Sequence, residues 1–264
     1  MNFSVLISIY KAESSDFLNQ CLNSVLEKQS VIPNEVVIIN DGDIPKVLSD
    51  IILIFKKKFP KIIINRGYEK NKGLGYALNF GLKLCTNEII FRMDADDICN
   101  YNRFKEQLIT LKKNPSISIL GSYIEEFNYK PHDLKRIRKV PLSSSEINNK
   151  KLIRNPFNHM TVCFKKSHII KAGGYLDMIG YEDYYLWLRV LNFSKGYNLD
   201  KSLVYARVGN NMVGRRQGYR FFINEIRFQK TIYNEGYQSF LSFIKNVILR
   251  GLPRLFPKFI LRII

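Results

Sequence analysis

Three carboxylates crowd into four positions at Asp94-Ala95-Asp96-Asp97, directly behind the run Ile89-Ile90-Phe91-Arg92-Met93. Like charges that close repel, and burying even one is costly without a partner. Something cationic must offset them. A hard divalent ion, Mg²⁺ or Mn²⁺, suits such donors, binding through one or two carboxylates and filling its other sites with water and phosphate oxygens. The ordinary alternative is a solvated turn leading into a helix from about Asn100, with Asp97 near its cap. A second acidic pair, Glu182-Asp183, follows the turn-like GGYLDMIGY. It reads as acids favoured by a helix N-terminus, or as a proton acceptor whose pKa is raised by its apolar company, Tyr184 and Trp187.

Smaller polar groups gather elsewhere. Ser8, Tyr10 and Glu13 follow the first apolar run, where Tyr10 could stack on a base or simply sit on a rim. Asp41 closes the second run. The turn Asn71-Lys72-Gly73-Leu74-Gly75 resembles a phosphate-cradling loop, although G-x-G is a poor signal by itself; close backbone approach to a ligand explains the glycines as well. Arg92 can pair with the acids that follow it, or serve a core ion pair. His159 stands in NPFNH as either a structural histidine or a group near a substrate. Arg215 and Arg216, in the glycine-flanked GNNMVGRRQGY, suit a loop closing over a diphosphate, or plain solvation.

These groups need strands and helices to place them. Phe3 to Ile9, Glu35 to Asn40, Lys61 to Asn65 and the run from Ile89 read as strands, alternating with helices over about 15–29, 47–59 and from Gly75 through Leu84. Continuous Val/Ile runs between helices predict a mainly parallel sheet covered on both faces, with the ligand crevice at its carboxyl edge. Farther on, 117–127, 160–164 and 202–208 read as strands, 184–191 as helix and the Lys/Arg-rich 128–140 as an exposed loop. The expected division is a catalytic domain over 1–215, with a nucleotide half to about residue 100 and an acceptor half beyond, then a helical basic tail over 216–264.

Composition sets the outer bounds. With 264 residues and 46% hydrophobic content the chain can bury a real core, and its 41 basic against 23 acidic residues (+18) imply an anionic partner. The opening MNFSVLISIYK lacks the pattern of a signal peptide, and no window of about 18 residues is both apolar and uncharged. Cys21, Cys85, Cys99 and Cys163 are widely spaced, so reduced thiols of a cytoplasmic protein are expected and a zinc site is not.

Taken in order, SIYKAE, the strand-end Asp41-Gly42, NKGLGYALNFGL, RMDADD, NPFNHMTVCFKK, AGGY and YEDYYLWLR resemble the family 2 glycosyltransferases over about residues 3 to 208. The flavour is similar to the bacterial branch that builds capsular and exopolysaccharides, as in amylovoran-type transferases. The resemblance implies the α/β fold called GT-A, a nucleotide-sugar donor (UDP foremost), inversion at the anomeric carbon, and a glycan acceptor that is lipid-linked. It also implies residue roles: Asp96 as main contact of Mn²⁺ or Mg²⁺ with Asp94 near the ribose and Asp97 in support, Asp183 as base with Glu182 beside it, and His159 on the acceptor side. Ser8, Tyr10, Glu13 and Asp41 would grip base and ribose. One departure stands out, since Asn40-Asp41-Gly42-Asp43 replaces the two adjacent acids common before that glycine.

Two other functions fit the sequence less well. A metal-dependent sugar nucleotidyltransferase has no evident use for Glu182-Asp183 and lacks the Gly- and basic-rich phosphate loop after Ile9. A nucleic-acid binder driven by charge leaves the acidic cluster facing an anion, so nucleic acid is not expected as a partner. The tail carries Arg250, Arg254, Lys258 and Arg262 at every fourth position among Phe, Leu and Ile. That predicts a basic stripe on an amphipathic surface helix bound to anionic lipid at the inner face of the cell membrane; the alternative is a helical cap on the catalytic domain.

Overall fold

The structure, a computed structural model, describes residues 1–209 and 217–256. Arg215, Arg216, Lys258 and Arg262 therefore lie outside the described residues. The strands are β1 (Phe3–Ile9), β2 (Glu35–Asp41), β3 (Ile63–Tyr68), β4 (Ile89–Asp94), β5 (Ile98–Cys99), β6 (Ile117–Phe127), β7 (Arg136–Arg138), β8 (Cys163–Lys165) and β9 (Lys195–Arg207). They form one sheet in the order β3-β2-β1-β4-β8-β6-β9-β5, with β7 beside β6. The first four are parallel, so all deliver their carboxyl ends to the same edge. Register aligns Ser8 with Asp94, Ile9 with Asn40 and Asp41 with Tyr68 along that edge.

Beyond β4 the sheet is mixed. Here β8 runs antiparallel to β4 and β6, β9 is parallel to β6, and β5 and β7 are antiparallel additions. The sheet is thus parallel where continuous Val/Ile runs predict it and mixed elsewhere. Two local expectations change. Within the supposed loop 128–140, β7 forms a short edge strand that an Arg136–Glu126 ion pair fastens to β6. Its residues RIR carry too little apolar pattern to announce it. The strand expected from Met160 begins only at Cys163, because Thr161 bonds back to the Asn158 carbonyl through both its amide (2.9 Å) and hydroxyl (2.8 Å), turning His159–Thr161 into a 3-10 turn.

Alternation along β1 and β2 supplies both faces. Val5, Ile7, Val36 and Ile38 pack against α1 (Ser15–Leu26), α2 (Lys46–Lys58) and α4 (Arg103–Lys113). Leu6, Val37 and Ile39 pack against α3 (Leu74–Leu84), α6 (Lys166–Lys171) and α7 (Glu182–Leu191), which places the start of α7 on the α3 side of the sheet. A short α5 (Ser144–Lys150) is capped by the Ser143 hydroxyl. All four cysteines are buried and unpaired.

The C-terminal part departs from a simple amphipathic rod. Helix α8 (Tyr219–Asn234) is followed by α9 (Phe240–Asn246), a π-helical turn at Val247–Gly251 and a 3-10 turn at Leu252–Leu255. Glu225 on α8 is fully buried and gathers Arg250 (3.1 Å), Arg254 (3.1 Å), the Tyr181 hydroxyl (2.6 Å) and Gln229 (2.8 Å). A carboxylate with no water must be paired, and these arginines are within reach. The outward basic stripe predicted from four-residue spacing is therefore turned inward at Arg250 and Arg254. What faces outward is apolar: Leu241, Ile248 and Leu249 are 80%, 50% and 60% exposed. No helix among the described residues is long and apolar enough to cross a membrane.

Replacing Glu225 by Ala strands two largely buried guanidinium groups, so a loss of about 3 kcal/mol or more is expected in urea unfolding. Glu225→Gln, which keeps an oxygen acceptor, should lose less; equal stability of all three proteins would show the cluster to be solvated.

Candidate active site

The acidic cluster sits where β4 ends. Asp94, Asp96 and Asp97 offer carboxylate oxygens that all lie within 4.8 Å of one another. Asp97 is only 2% exposed. One of its oxygens accepts the Arg207 amide (2.8 Å), and the other, also buried, has no hydrogen-bond partner among the described residues. Burial, then the charges of Asp96 and Asp94, push its carboxyl well above the usual range. Asp94 forms an ion pair with Arg92, which is itself buried. Burial would lower the Arg92 pKa, but Asp94, Tyr175 and Asp97 together outweigh it and the net direction is upward. The bland possibility of a solvated turn does not survive these burials. An all-oxygen donor set with one buried oxygen left over suits a hard divalent cation.

Arg207, at the end of β9, was not singled out by the sequence. Its Nε donates to the Asp96 carbonyl (3.0 Å) and its Nη2 to Gln20 (2.9 Å), with the guanidinium 3.7 Å from the Phe17 ring centroid. It closes the acidic turn from the far side of the sheet. Nothing local in YARVG marks it, because its hydrogen-bond partners lie 79 or more residues away.

On the other flank, Asp41 organises the turn that opens α3. Its Oδ1 accepts the Tyr68 hydroxyl (2.8 Å) and the Lys72 amide (2.7 Å), and its Oδ2 accepts Asn71 Nδ2 (2.9 Å) and the Gly73 amide (3.0 Å). Asn71 also bonds the Asp41 carbonyl (3.1 Å). Gly73 caps α3 at φ +90°, a conformation that favours glycine. Asn71 and Gly73 are thus fixed beside β2, while Gly75 lies farther round. A Cβ on Gly75 would stand 3.4 Å from both Glu182 and Tyr175, an ordinary contact, so the start of α3 packs directly beside the start of α7.

Tyr175, the last residue of AGGY, is the second group the sequence did not single out. Gly173 and Gly174 both take positive φ ahead of it, and Asn79 pins its backbone at both ends (2.8 and 2.7 Å). Its hydroxyl meets His159 Nε2 at 3.1 Å. The phenol is buried and held neutral, chiefly by burial, and it feels the charges of Arg92, Asp183 and Asp94 together. It therefore stands between the acidic cluster and the acidic pair. The pair opens α7: Asp183 Oδ2 accepts from Asn155 Nδ2 (2.8 Å), and burial pushes Glu182 up to about 7, with Asp183 adding to the rise. Arg189 donates to the Gly174 carbonyl (2.7 Å) and so braces the same turn.

The structure thus brings Ser8, Asp41, Asn71, Gly73, Arg92, Asp94, Asp96 and Asp97 to one sheet edge. Gly75, His159, Glu182 and Asp183 collect around Tyr175 on the α3 side. Tyr10 and Glu13 lie in the turn after β1, joined by the Glu13 amide to the Tyr10 carbonyl (3.1 Å).

Comparison with known proteins agrees with this geometry. The model of "Glycosyl transferase family 2" matches residues 4–176. A UDP-Gal:alpha-D-GlcNAc-diphosphoundecaprenol beta-1,3-galactosyltransferase of Escherichia coli is 41% identical over 97% of this chain and 92% of its own length. The amylovoran biosynthesis glycosyltransferase AmsE of Erwinia amylovora is 35% identical over 97% of this chain and 94% of its own. Among solved structures, a Pyrobaculum calidifontis mannosyltransferase in complex with GDP-Man and Mn²⁺ superimposes with a TM-score of 0.67 at 14% identity, covering 95% of this chain and 69% of that one. Residues 1–349 of Staphylococcus aureus TarS in complex with UDP-GlcNAc give 0.65 at 22% identity, over 89% and 67%. The chain belongs to glycosyltransferase family 2, and its fold is the GT-A α/β fold.

Two measurements probe the site's construction. Asp41→Ala removes the acceptor of four donors, so amide exchange at Lys72 and Gly73 should quicken and stability fall by about 2 kcal/mol; unchanged exchange would mean the turn holds itself. Glu182 has a folded pKa near 7 against an ordinary 4.5, so wild type should lose stability as pH rises between those values and level off above. Glu182→Gln should lack the part of that fall that Glu182 contributes, and be more stable than wild type at pH 8, by on the order of 1–3 kcal/mol. Parallel pH curves for the two proteins would show Glu182 to be ordinary.

Proposed function

We propose that this family 2 glycosyltransferase moves a sugar from a nucleoside-diphosphate sugar, UDP foremost, to a hydroxyl of a lipid-linked glycan in bacterial surface-polysaccharide assembly, with inversion. One observation carries the reading: a three-carboxylate cluster at the carboxyl edge of the parallel strands meets a second acidic pair across Tyr175. Mg²⁺ or Mn²⁺, held by Asp96 with Asp94 and Asp97 in support, would supply Lewis-acid stabilisation of the diphosphate leaving group.

The chain's own residues do the rest. Asp183, oriented by Asn155, takes the proton of the acceptor hydroxyl. The hydroxyl oxygen forms its bond to the anomeric carbon as the bond to the diphosphate oxygen breaks. Single displacement inverts that carbon. Glu182 and His159 hold the acceptor sugar, and Tyr175, kept neutral, separates it from the acidic cluster. Asn71, Gly73 and Gly75 lie along the nucleotide, whose base and ribose meet Ser8, Tyr10, Glu13 and Asp41. Arg92 neutralises Asp94 and so keeps the cluster from repelling a diphosphate outright.

Support for the donor comes from the TarS complex with UDP-GlcNAc and from the E. coli relative, named for UDP-Gal and a diphosphoundecaprenol-linked sugar. The exposed apolar residues of α9 favour a peripheral position on the inner face of the membrane, where such acceptors lie. A sugar nucleotidyltransferase reading would leave Glu182-Asp183 without work.

A panel of nucleotide-sugars with Mn²⁺ or Mg²⁺ and a GlcNAc-diphospholipid acceptor tests this. One donor should release nucleoside diphosphate, and the new linkage should have the opposite anomeric configuration by NMR. Asp183→Asn should lower kcat by about 10²-fold or more while donor binding survives, and Asp96→Ala should abolish the metal response. Release of pyrophosphate, or retention of configuration, would sink the proposal.

A further inference from the structure

The outer face of α9 and the π-helical turn forms a shallow groove lined by Phe240, Leu241, Ile244, Ile248 and Leu249, with Lys245 among them. Its apolar residues are 40–80% exposed. An apolar surface of this kind marks a contact with lipid or another molecule. Its place relative to the acids narrows the choice.

The groove is tied to the candidate base through one short segment. Asn246 donates to the Leu152 carbonyl (3.3 Å), and Arg250 to the Ile153 carbonyl (3.1 Å) and the Tyr184 hydroxyl (3.4 Å). Two residues farther on, Asn155 bonds Asp183. The Glu225 cluster adds a second tie, since its Tyr181 directly precedes Glu182. Along this segment Lys150, Ile153 (66%) and Arg154 are exposed, and the Arg154 amide bonds the Lys150 carbonyl (3.2 Å), which sets the two cations one helical turn apart. From Ile153 to Asn155 the backbone spans at most about 7 Å, roughly one sugar ring.

We propose that this groove takes the polyisoprenoid chain of a lipid-linked acceptor, with Lys150 and Arg154 on its diphosphate and the attached sugar delivered to Asp183. The inference rests on the function proposed above and adds the route by which the acceptor is bound. The segment that carries both cations touches the groove's helix at Leu152 and Ile153 and the acidic pair through Asn155, as a ligand with lipid, diphosphate and sugar in that order requires. Two positive charges face the two negative charges of a diphosphate diester, while Leu241, Ile248 and Leu249 cover isoprene units. A general membrane anchor needs the apolar face but has no need for cations on the segment that orients Asp183.

The full chain would be assayed in detergent with the donor that the panel identifies. Two acceptors would be compared, α-GlcNAc diphosphate esterified with farnesol and the same diphosphate esterified with methanol, beside the uncharged methyl α-GlcNAc glycoside. The double variant Leu241→Ser, Ile248→Ser should raise KM for the farnesyl acceptor at least tenfold, with kcat kept and the methyl diphosphate unaffected. Arg154→Gln should raise KM for both diphosphates severalfold and leave the uncharged glycoside alone. Donor hydrolysis, measured without acceptor, should be unchanged in every variant, which also reports folding. Equal KM shifts on both diphosphates in the double variant would overturn the groove assignment. So would lost binding to phosphatidylglycerol vesicles with an unchanged farnesyl KM, which means an anchor only, or a dimer that dissociates on substitution, which means an interface between copies. Failure of wild type to glycosylate any of the three acceptors would instead strike the proposed function.

Discussion

Everything in the catalytic half depends on how three acids are kept together at the end of one strand. Their mutual repulsion and partial burial would drive that edge apart if it stood alone. The fold answers with positive charge and hydrogen-bond donors from distant elements. Arg92 pairs with Asp94 from two residues earlier on β4, and the Arg207 amide and guanidinium close on Asp97 and Asp96 from β9. Beneath them, the buried Arg103 of α4 donates to the Arg92 carbonyl at 2.7 Å. These ties compensate part of the charge and leave one buried Asp97 oxygen over. A site built for a cation should look this way, since full compensation by the protein would leave a metal nothing to bind.

The second constraint is alignment between the acidic cluster and the acidic pair, which sit on elements far apart in sequence. Helix α3 does most of this work. Its first turn is held by Asp41, its Gly75 packs beside Glu182, and its Asn79 fastens the backbone of Tyr175. One eleven-residue helix therefore touches the carboxyl edge of the sheet and the acidic pair together. Its glycines serve different ends. Gly73 meets a backbone requirement, whereas Gly81 makes room, since a Cβ there would meet Ile39 at 3.0 Å and Leu6 closer still.

Legibility followed the range of the interactions. Strands β1, β2 and β6 could be read because continuous apolar runs with polar ends have few other meanings, and the six-residue β4 announced itself by the acids it delivers. The acids themselves were legible by type, because carboxylates clustered at a strand end demand explanation. Arg207 and Tyr175 were not, since an arginine in a strand and a tyrosine after glycines acquire meaning only from partners brought in by the fold. Asp41 was found but its local work was not, because four donors from residues 68 to 73 converge on it only once β3 lies beside β2. The tail shows the opposite error. Four-residue spacing correctly put Arg250 and Arg254 on one face, yet periodicity cannot say which way a face points, and the buried Glu225 decided it.

That decision changes what the tail can be. With its arginines spent on Glu225, the described C-terminal segment has lost much of the charge that would hold it electrostatically to anionic headgroups. It keeps the apolar groups. An anchor of this kind relies on insertion and on what lies beside it, and Lys150 and Arg154 are carried by the segment that links it to Asp183. The same cluster also prevents α9 from drifting, because Glu225 joins Arg250 and Arg254 to Tyr181 at the head of α7. A surface held to the acidic pair in this way is better suited to measuring a ligand than to floating on a bilayer. Apolar surface and acidic pair are thus joined by a buried charge cluster whose members come from α8, the π-helical turn, the 3-10 turn and the head of α7.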